Sequence, residues 1–252
     1  PRGCIIGNCD NGEGTFIYLN GHQYSGEFRD GIKHGYGIYL MPSYSEVTTK
    51  NNLIIEQYEG EWEDDMKWGF GKYTFPEGEF YIGQYKRGKR RGIGLLVQAD
   101  RINKYIGEFR MEKKEGWGIT HKRIPQLENS DEPIINFLLD EGSIRFLNND
   151  SLHIIESGAF INGKRLFKEP LDSVIIYLFN TYPNQEIILQ HLITYNEKLL
   201  TSLFNKNNLT MKCGEFYGLS VECPYDGECI NGDCVNLDII ENSTTNSKCI
   251  SD

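Results

Sequence analysis

The chain has 252 residues, 39% of them hydrophobic and 25% charged, with a formal net charge of −10; that length fits one elongated domain plus a smaller appendage. Residues 1–123 carry 18 Lys/Arg against 17 Asp/Glu and the remainder 8 against 19. This acidic balance argues against nucleic acid, whose affinity comes largely from neutralised phosphates, and against the whole molecule lying on anionic lipid. No apolar run reaches the ~18 residues that a membrane-spanning helix needs.

Residues 1–11 form a lead-in containing Cys4 and Cys9. From Gly12 the sequence repeats itself. A Gly-x-Gly pair recurs at Gly12/Gly14, Gly35/Gly37, Gly69/Gly71, Gly92/Gly94 and Gly116/Gly118, with first glycines 23, 34, 23 and 24 residues apart. Between the pairs stands a second signature, Tyr-x-Gly-Glu-aromatic. It reads Tyr24-Ser25-Gly26-Glu27-Phe28 and Tyr58-Glu59-Gly60-Glu61-Trp62. Looser copies are Tyr81-Ile82-Gly83-Gln84-Tyr85 and Tyr105-Ile106-Gly107-Glu108-Phe109. A fixed period of this size means an array of small stacked units, and arrays usually present surfaces for binding.

Within one unit, Thr15–Leu19 is rich in β-branched and aromatic residues, Asn20-Gly21 follows, and residues 22–28 alternate so that Tyr24, Gly26 and Phe28 share a face. The pattern predicts a hairpin around Asn20-Gly21 with both turn residues at positive φ, and a second turn at Asp30-Gly31. A glycine between aromatics lets a ring from a neighbouring hairpin lie over it. The fold class expected is mainly β: a single-layer ribbon of hairpins in which five two-strand units extend roughly 50 Å. The predicted packing residues are Tyr24, Phe28, Tyr58, Trp62, Tyr81, Tyr85, Tyr105 and Phe109. The excess in the 34-residue interval lies between Leu40 and Tyr58, and is read as a lengthened hairpin loop over Met41–Asn52, either a neutral insertion or part of a binding face.

These residues resemble the MORN repeat (membrane occupation and recognition nexus): Tyr-x-Gly-Glu-Phe/Trp, then Gly-x-Lys-x-Gly-x-Gly, over residues 12–123. The lead-in resembles that of some bacterial members. A degenerate fifth unit runs through Glu156–Lys164, where Gly158 to Gly163 repeats the Gly26 to Gly31 interval; it falls in a looser β region, 124–170. The resemblance implies a single-layer β-meander used for binding or scaffolding. Protein partners or self-association are therefore expected.

Residues 171–206 read as helical, Leu171–Thr181 and then Gln185–Asn205, with Pro183-Asn184 as break and N-cap. Ile188, Leu192, Tyr195, Leu199 and Leu203 make one apolar stripe. The segment reads as a cap on the array; a partner-binding helix is the alternative. Residues 207–252 form a Cys-rich tail with Cys213, Cys223, Cys229, Cys234 and Cys249. Cys4–Asn11 and Cys229–Asn236 share the phrase Cys-Ile-x-Gly-[Asn/Asp]-Cys-x-Asn. Disulfides are the preferred reading and imply an extracellular or other oxidising compartment. Structural zinc and free thiols are the alternatives, and a cytoplasmic, membrane- or cytoskeleton-associated location goes with them. Sequons stand at Asn149, Asn208 and Asn242.

One basic cluster, Lys86, Arg87, Lys89, Arg90 and Arg91, is a candidate for anionic head groups, against the plain reading of solvated turn positions. His22, His34, His121, His153 and His191 form no metal or catalytic pattern, and neither a nucleophile elbow nor a P-loop appears. No catalytic residue, cofactor or resident metal is therefore expected. The function read from the sequence is a non-catalytic scaffold. The alternatives are a peripheral membrane tether and an enzyme of unrecognised type in the C-terminal part.

Overall fold

The computed structural model describes residues 2–44, 53–124, 144–148, 151–194, 197–207, 214–216, 219–221, 228–230 and 233–235. The chain divides into two units, Pro1–Tyr182 and Pro183–Asp252.

The first unit is built on one antiparallel sheet of thirteen strands. In chain order these are β1 (Gly3–Gly7), β2 (Gly12–Ile17), β3 (Gln23–Arg29), β4 (Ile32–Tyr44), β5 (Leu53–Glu63), β6 (Met66–Thr74), β7 (Phe80–Lys86), β8 (Lys89–Val97), β9 (Lys104–Arg110), β10 (Lys113–Ile124), β11 (Ile144–Asn148), β12 (Ser151–Ile161) and β13 (Lys164–Lys168). Neighbours in sequence are neighbours in the sheet through β10. There β12 pairs with β10, and its far edge is shared by β11 and β13. The mainly-β meander expected from the sequence is the fold observed.

Register follows the glycines. Gly14, Gly26, Gly37, Gly60, Gly71, Gly83, Gly94, Gly107, Gly118 and Gly158 stand opposite one another in successive pairs from β2 to β12. Gly158 thus joins the row as the fifth unit, although its segment has Glu156 where the other units have tyrosine.

Two turn types alternate. Asp30-Gly31, Asp64-Asp65, Arg87-Gly88, Met111-Glu112 and Asn162-Gly163 are two-residue turns with both residues at positive φ, the geometry that matches strand twist. The turn at Asn20-Gly21 differs from expectation. Tyr18 N donates to His22 O (2.8 Å) and Gly21 N to Tyr18 O (3.0 Å), and only Gly21 takes positive φ (84°). This is a three-residue loop with the left-handed residue last, and Phe75–Glu79 repeats it. The lengthened loop also needs correction: Met41–Tyr44 continue β4 and pair with Leu53–Glu56 of β5. The insertion is in part a longer hairpin arm; residues 45–52 lie outside the described residues.

The lead-in is a partial repeat. β1 pairs with β2, and the Sγ atoms of Cys4 and Cys9 are 2.09 Å apart. A Cβ placed on Gly14 would lie 2.8 Å from Cys9 Sγ, so the cysteine pair occupies the place over glycine that a tyrosine ring takes in later units. Asp10 O accepts from Gly31 N at 2.8 Å, the role that Lys67 O plays for Gly88 N (2.8 Å) and Lys114 O for Gly163 N (3.0 Å).

On the face opposite the aromatic rows, one row runs Thr15, Ser25, Ile38, Glu59, Lys72, Ile82, Leu95, Ile106 and Ile119. It changes from largely polar to apolar along the sheet. At the apolar end lies α1 (Leu171–Thr181), a helix over the residues predicted to be one, packed on β10 and β12 with Val174, Ile175, Leu178 and Phe179 buried. These four form one helical stripe. Trp117 meets Tyr177 at 5.6 Å between ring centroids.

The second unit contains α2 (Glu186–Leu189), a 3-10 turn (Gln190–Thr194), α3 (Glu197–Lys206) and the hairpins β14/β15 (Gly214–Phe216, Leu219–Val221) and β16/β17 (Glu228–Ile230, Asp233–Val235). The single helix expected over 185–205 is therefore interrupted, and it starts at Glu186 with Gln185 as N-cap and no side-chain cap. Ile188 and Leu192 are buried as the stripe required, together with Leu189 and Phe204; Tyr195 lies outside the described residues. Cys229 stands opposite Cys234 across β16/β17, as the shared phrase implied. Cys213, Cys223, Cys249 and the sequons at Asn149, Asn208 and Asn242 lie outside the described residues.

Candidate functional site: the aromatic face of the sheet

The repeat signature is a set of contacts across adjacent strands. In each complete unit the tyrosine ring lies flat over the second glycine of the pair on the next strand. A Cβ on Gly37 would sit 2.5 Å from Tyr24 Cζ, and one on Gly94 2.5 Å from Tyr81 Cζ. The hydroxyl reaches past the glycine to a backbone carbonyl: Tyr24 to Glu27 O (2.9 Å), Tyr58 to Glu61 O (3.0 Å), Tyr81 to Gln84 O (3.1 Å) and Tyr105 to Glu108 O (3.0 Å).

The acidic residue of the signature serves the first glycine. The Glu27 carboxylate lies against Gly35 and accepts from Tyr36 N at 2.9 Å. Glu61 accepts from Phe70 N (2.9 Å), Gln84 from Ile93 N (3.1 Å) and Glu108 from Trp117 N (2.6 Å). Gly35 (φ 58°) and Gly69 (φ 54°) are left-handed there, and any side chain would collide with the carboxylate. Glu108 also accepts from Tyr182 Oη at 2.7 Å, which ties the end of α1 to the sheet.

The rings then form one continuous ladder: Phe28, Tyr24, Trp62, Tyr58, Tyr85, Tyr81, Phe109, Tyr105 and Phe160. Successive centroids are 5.0–5.5 Å apart and every contact is edge-to-face, the arrangement that the ring quadrupole favours. The eight packing residues named from the sequence are all in it and all buried; Phe160 extends it into the fifth unit. Burial raises the hydroxyl pKa of Tyr81, Tyr85 and Tyr105 far above the ordinary phenol range, so these groups stay protonated throughout the working pH range.

Beside the ladder the face is more open. Phe16, Tyr18, Tyr39, Tyr73 and Phe75 are half-buried. A cation from each unit lies over the rings: Lys33 over Trp62 (5.2 Å), Lys67 over Tyr73 (4.2 Å), Arg90 over Tyr81 (5.4 Å) and Lys114 over Tyr105 (4.8 Å). Lys33 pairs with Asp65 at 2.7 Å, and Arg90 with Glu112 at 2.9 Å. Tyr73 also donates to Glu56, and His22 Nδ1 lies 2.9 Å from Tyr39 Oη. The sequence reading missed these cations as members of the face. Their signal was the Lys/Arg two residues before each Gly-x-Gly from Gly35 onward.

The basic cluster is split by the same geometry. Arg90 turns onto the ladder, while Lys86, Arg87, Lys89 and Arg91 are exposed around the Arg87-Gly88 turn. Among the described residues no group of three or more His, Cys, Asp or Glu side chains is placed to hold a metal ion, and no helix is long and apolar enough to cross a membrane.

Asp65 gives a pH-dependent element. Burial raises its carboxyl pKa, but the hydrogen bonds from Lys33 Nζ and Lys33 N more than offset this and hold it below the usual carboxylate range. A pKa depressed on folding contributes stability that is complete above the unfolded value, ~3.9, and is lost as pH falls through the folded value. An acid titration of the sheet's denaturation midpoint should therefore have a shallower limb below about pH 4 in Asp65→Asn than in the unsubstituted chain.

An open single-layer meander of hairpin repeats, with one aromatic face and one face partly covered by a helix, defines a repeat-built β protein. Three of the repeats match a known family. The family model for the MORN repeat matches residues 24–46, 58–80 and 81–101, each match opening on a ladder tyrosine. The chain is 32% identical over 113 residues to Alsin from Mus musculus, and equally to Alsin from Homo sapiens and Rattus norvegicus. That alignment covers 43% of this chain, and the chain spans 6% of the length of these relatives. MORN repeats are typically protein- or membrane-interaction modules.

Proposed function

We propose that this chain is a non-catalytic interaction protein that binds a protein segment along the aromatic face of its sheet. The carrying observation is the row of half-buried rings at Phe16, Tyr18, Tyr39, Tyr73 and Phe75, beside a buried ladder that holds them rigidly in place. Rigid aromatic side chains anchor interfaces at low entropic cost. The cations over the rings suit a partner segment with apolar anchors and carboxylates.

A photo-cross-linking amino acid at Tyr39, on the aromatic face, should give a discrete protein adduct that is lost on adding Phe75→Lys. The same group at Glu59, on the opposite face, should give none. Equal adducts from both positions would contradict the proposal. An adduct with the mass of a dimer would identify the segment as part of a second copy.

A further inference from the structure

The array ends through two linked changes in its fifth unit. In each complete unit Glu27, Glu61, Gln84 or Glu108 lies against the first glycine of the pair that follows. The fifth unit has Ala159 at the first of these positions and Phe167 at the second, and the two stand opposite each other across β12 and β13. With no glycine there the repeat stops, and after β13 the chain leaves the sheet for α1.

β13 stands where β4, β6, β8 and β10 stand in the earlier units, directly after a two-residue turn. Those four strands pair on both sides; β13 pairs with β12 alone among the described residues. A strand paired on one side presents the N–H and C=O groups of alternate residues outward. On β13 Leu166 is 55% exposed, and Phe167, at 64%, is the most exposed aromatic ring of the described residues. Both ends of the strand are fixed. At the turn Gly163 N donates to Lys114 O (3.0 Å) and Lys113 Nζ to Asn162 Oδ1 (2.9 Å). At the far end Glu169 N donates to Ser157 O (3.2 Å) and Ser157 Oγ to Glu169 O (2.6 Å). The edge is therefore already ordered, and binding need order only the incoming chain.

The charges select what can pair. Lys164 and Lys168 bracket the two apolar residues. Arg165 is matched by Glu156 (3.3 Å) and Glu115 by Arg110 (3.3 Å). Lys113 adds to the two lysines, while Glu169 and Asp172 follow them in the chain. Antiparallel pairing of β13 with its own copy about Leu166 would put each Lys164 opposite a Lys168, a like-charge contact that destabilises a sheet. A strand with carboxylates at those two places and apolar residues between them gains at each pair instead.

We infer that the outer edge of β13 binds an extended acidic segment of another protein, which adds to the sheet as its next strand. Main-chain hydrogen bonds supply the affinity. Leu166 and Phe167 take its apolar residues, and Lys164 and Lys168 its carboxylates. This surface is separate from the half-buried rings of the first three units, so the inference does not rest on the reading above.

The full chain is to be panned against a display library of random peptides, and the enriched peptides measured by fluorescence anisotropy. Sequences with carboxylates flanking apolar residues should be enriched. Phe167→Asp should weaken their binding about tenfold or more, and Lys164→Glu should weaken it most at low salt. Both should leave the denaturation midpoint unchanged, because the two side chains are exposed. Leu19→Asp, an exposed apolar residue in the Tyr18–His22 loop, should bind as the unsubstituted chain does. N-methylation of alternate peptide residues should abolish binding in one register and spare it in the other, as expected of a strand paired along one edge. No enrichment, enrichment without carboxylates, binding that survives Phe167→Asp, or equal loss in the two N-methyl registers would overturn the inference. Loss of binding in Phe75→Lys would overturn it by placing the peptide on the aromatic face. A dimer of the unsubstituted chain that Phe167→Asp dissociates would overturn it by making a second copy the occupant.

Discussion

Replacing Gly94 by alanine should destabilise the sheet by about 3 kcal/mol or more, at the upper end of what overpacking usually costs. The backbone at Gly94 is not left-handed, so the effect is purely steric. The new methyl would lie 2.5 Å from Cζ and Oη of Tyr81, and the ring has nowhere to go. Tyr81 is fully buried, wedged edge-to-face between Tyr85 (5.3 Å) and Phe109 (5.0 Å), and its hydroxyl is held by Gln84 O at 3.1 Å. Urea unfolding followed by tryptophan fluorescence measures this directly, because all three tryptophans, Trp62, Trp68 and Trp117, lie in the sheet. A cost below about 1 kcal/mol would mean that the ring does not rest on the glycine.

The second large effect is expected for Tyr81→Ala, about 4 kcal/mol in the same assay. Two costs combine. A fully buried ring is removed from the middle of a single-layer ladder, where no second layer can collapse into the gap. Two edge-to-face contacts are lost with it. A single-layer sheet has few other long-range contacts with which to compensate, so neighbouring units should loosen together.

Much of this was legible in the sequence because the repeat makes one local rule visible several times. Tyr24, Tyr58, Tyr81 and Tyr105 stand at one position and Gly37, Gly71, Gly94 and Gly118 at another, so the register and the buried rings could be read directly. The turns were less legible. Asn20-Gly21 looks like a two-residue turn, but the Tyr18–His22 backbone pairing selects a three-residue loop. Glu112 and Asp65 hold left-handed positions where other units use glycine, and their side chains hydrogen-bond a backbone N–H of the preceding unit. That compensation comes from a residue 22 or 32 positions away and leaves no local trace.

The site divides in the same way. The ladder could be named residue by residue, whereas Arg90 was read with its neighbours as a solvated turn position or a head-group contact, although it is held on the face by Glu112 and two rings. The outer edge of β13 could not be read as a motif, because it arises from what the fifth unit lacks at Ala159 and Phe167. The role of Cys9 over Gly14 depends on seeing the lead-in as a truncated unit. Pairing of the cysteines could be suggested from the shared phrase; their place at the end of the ladder could not.

The central claim is that the repeat signature encodes a tyrosine ring resting on a glycine of the next strand, and a double-mutant cycle tests it most directly. Urea unfolding of the unsubstituted chain, Gly94→Ala, Tyr81→Ala and the double variant yields the coupling between the two positions. Strong non-additivity is expected: with the ring gone the methyl has room, so Gly94→Ala should cost little in the Tyr81→Ala background, a coupling of at least about 2 kcal/mol. Effects that add within about 0.5 kcal/mol would show the two positions to be independent and the ring not to rest on the glycine.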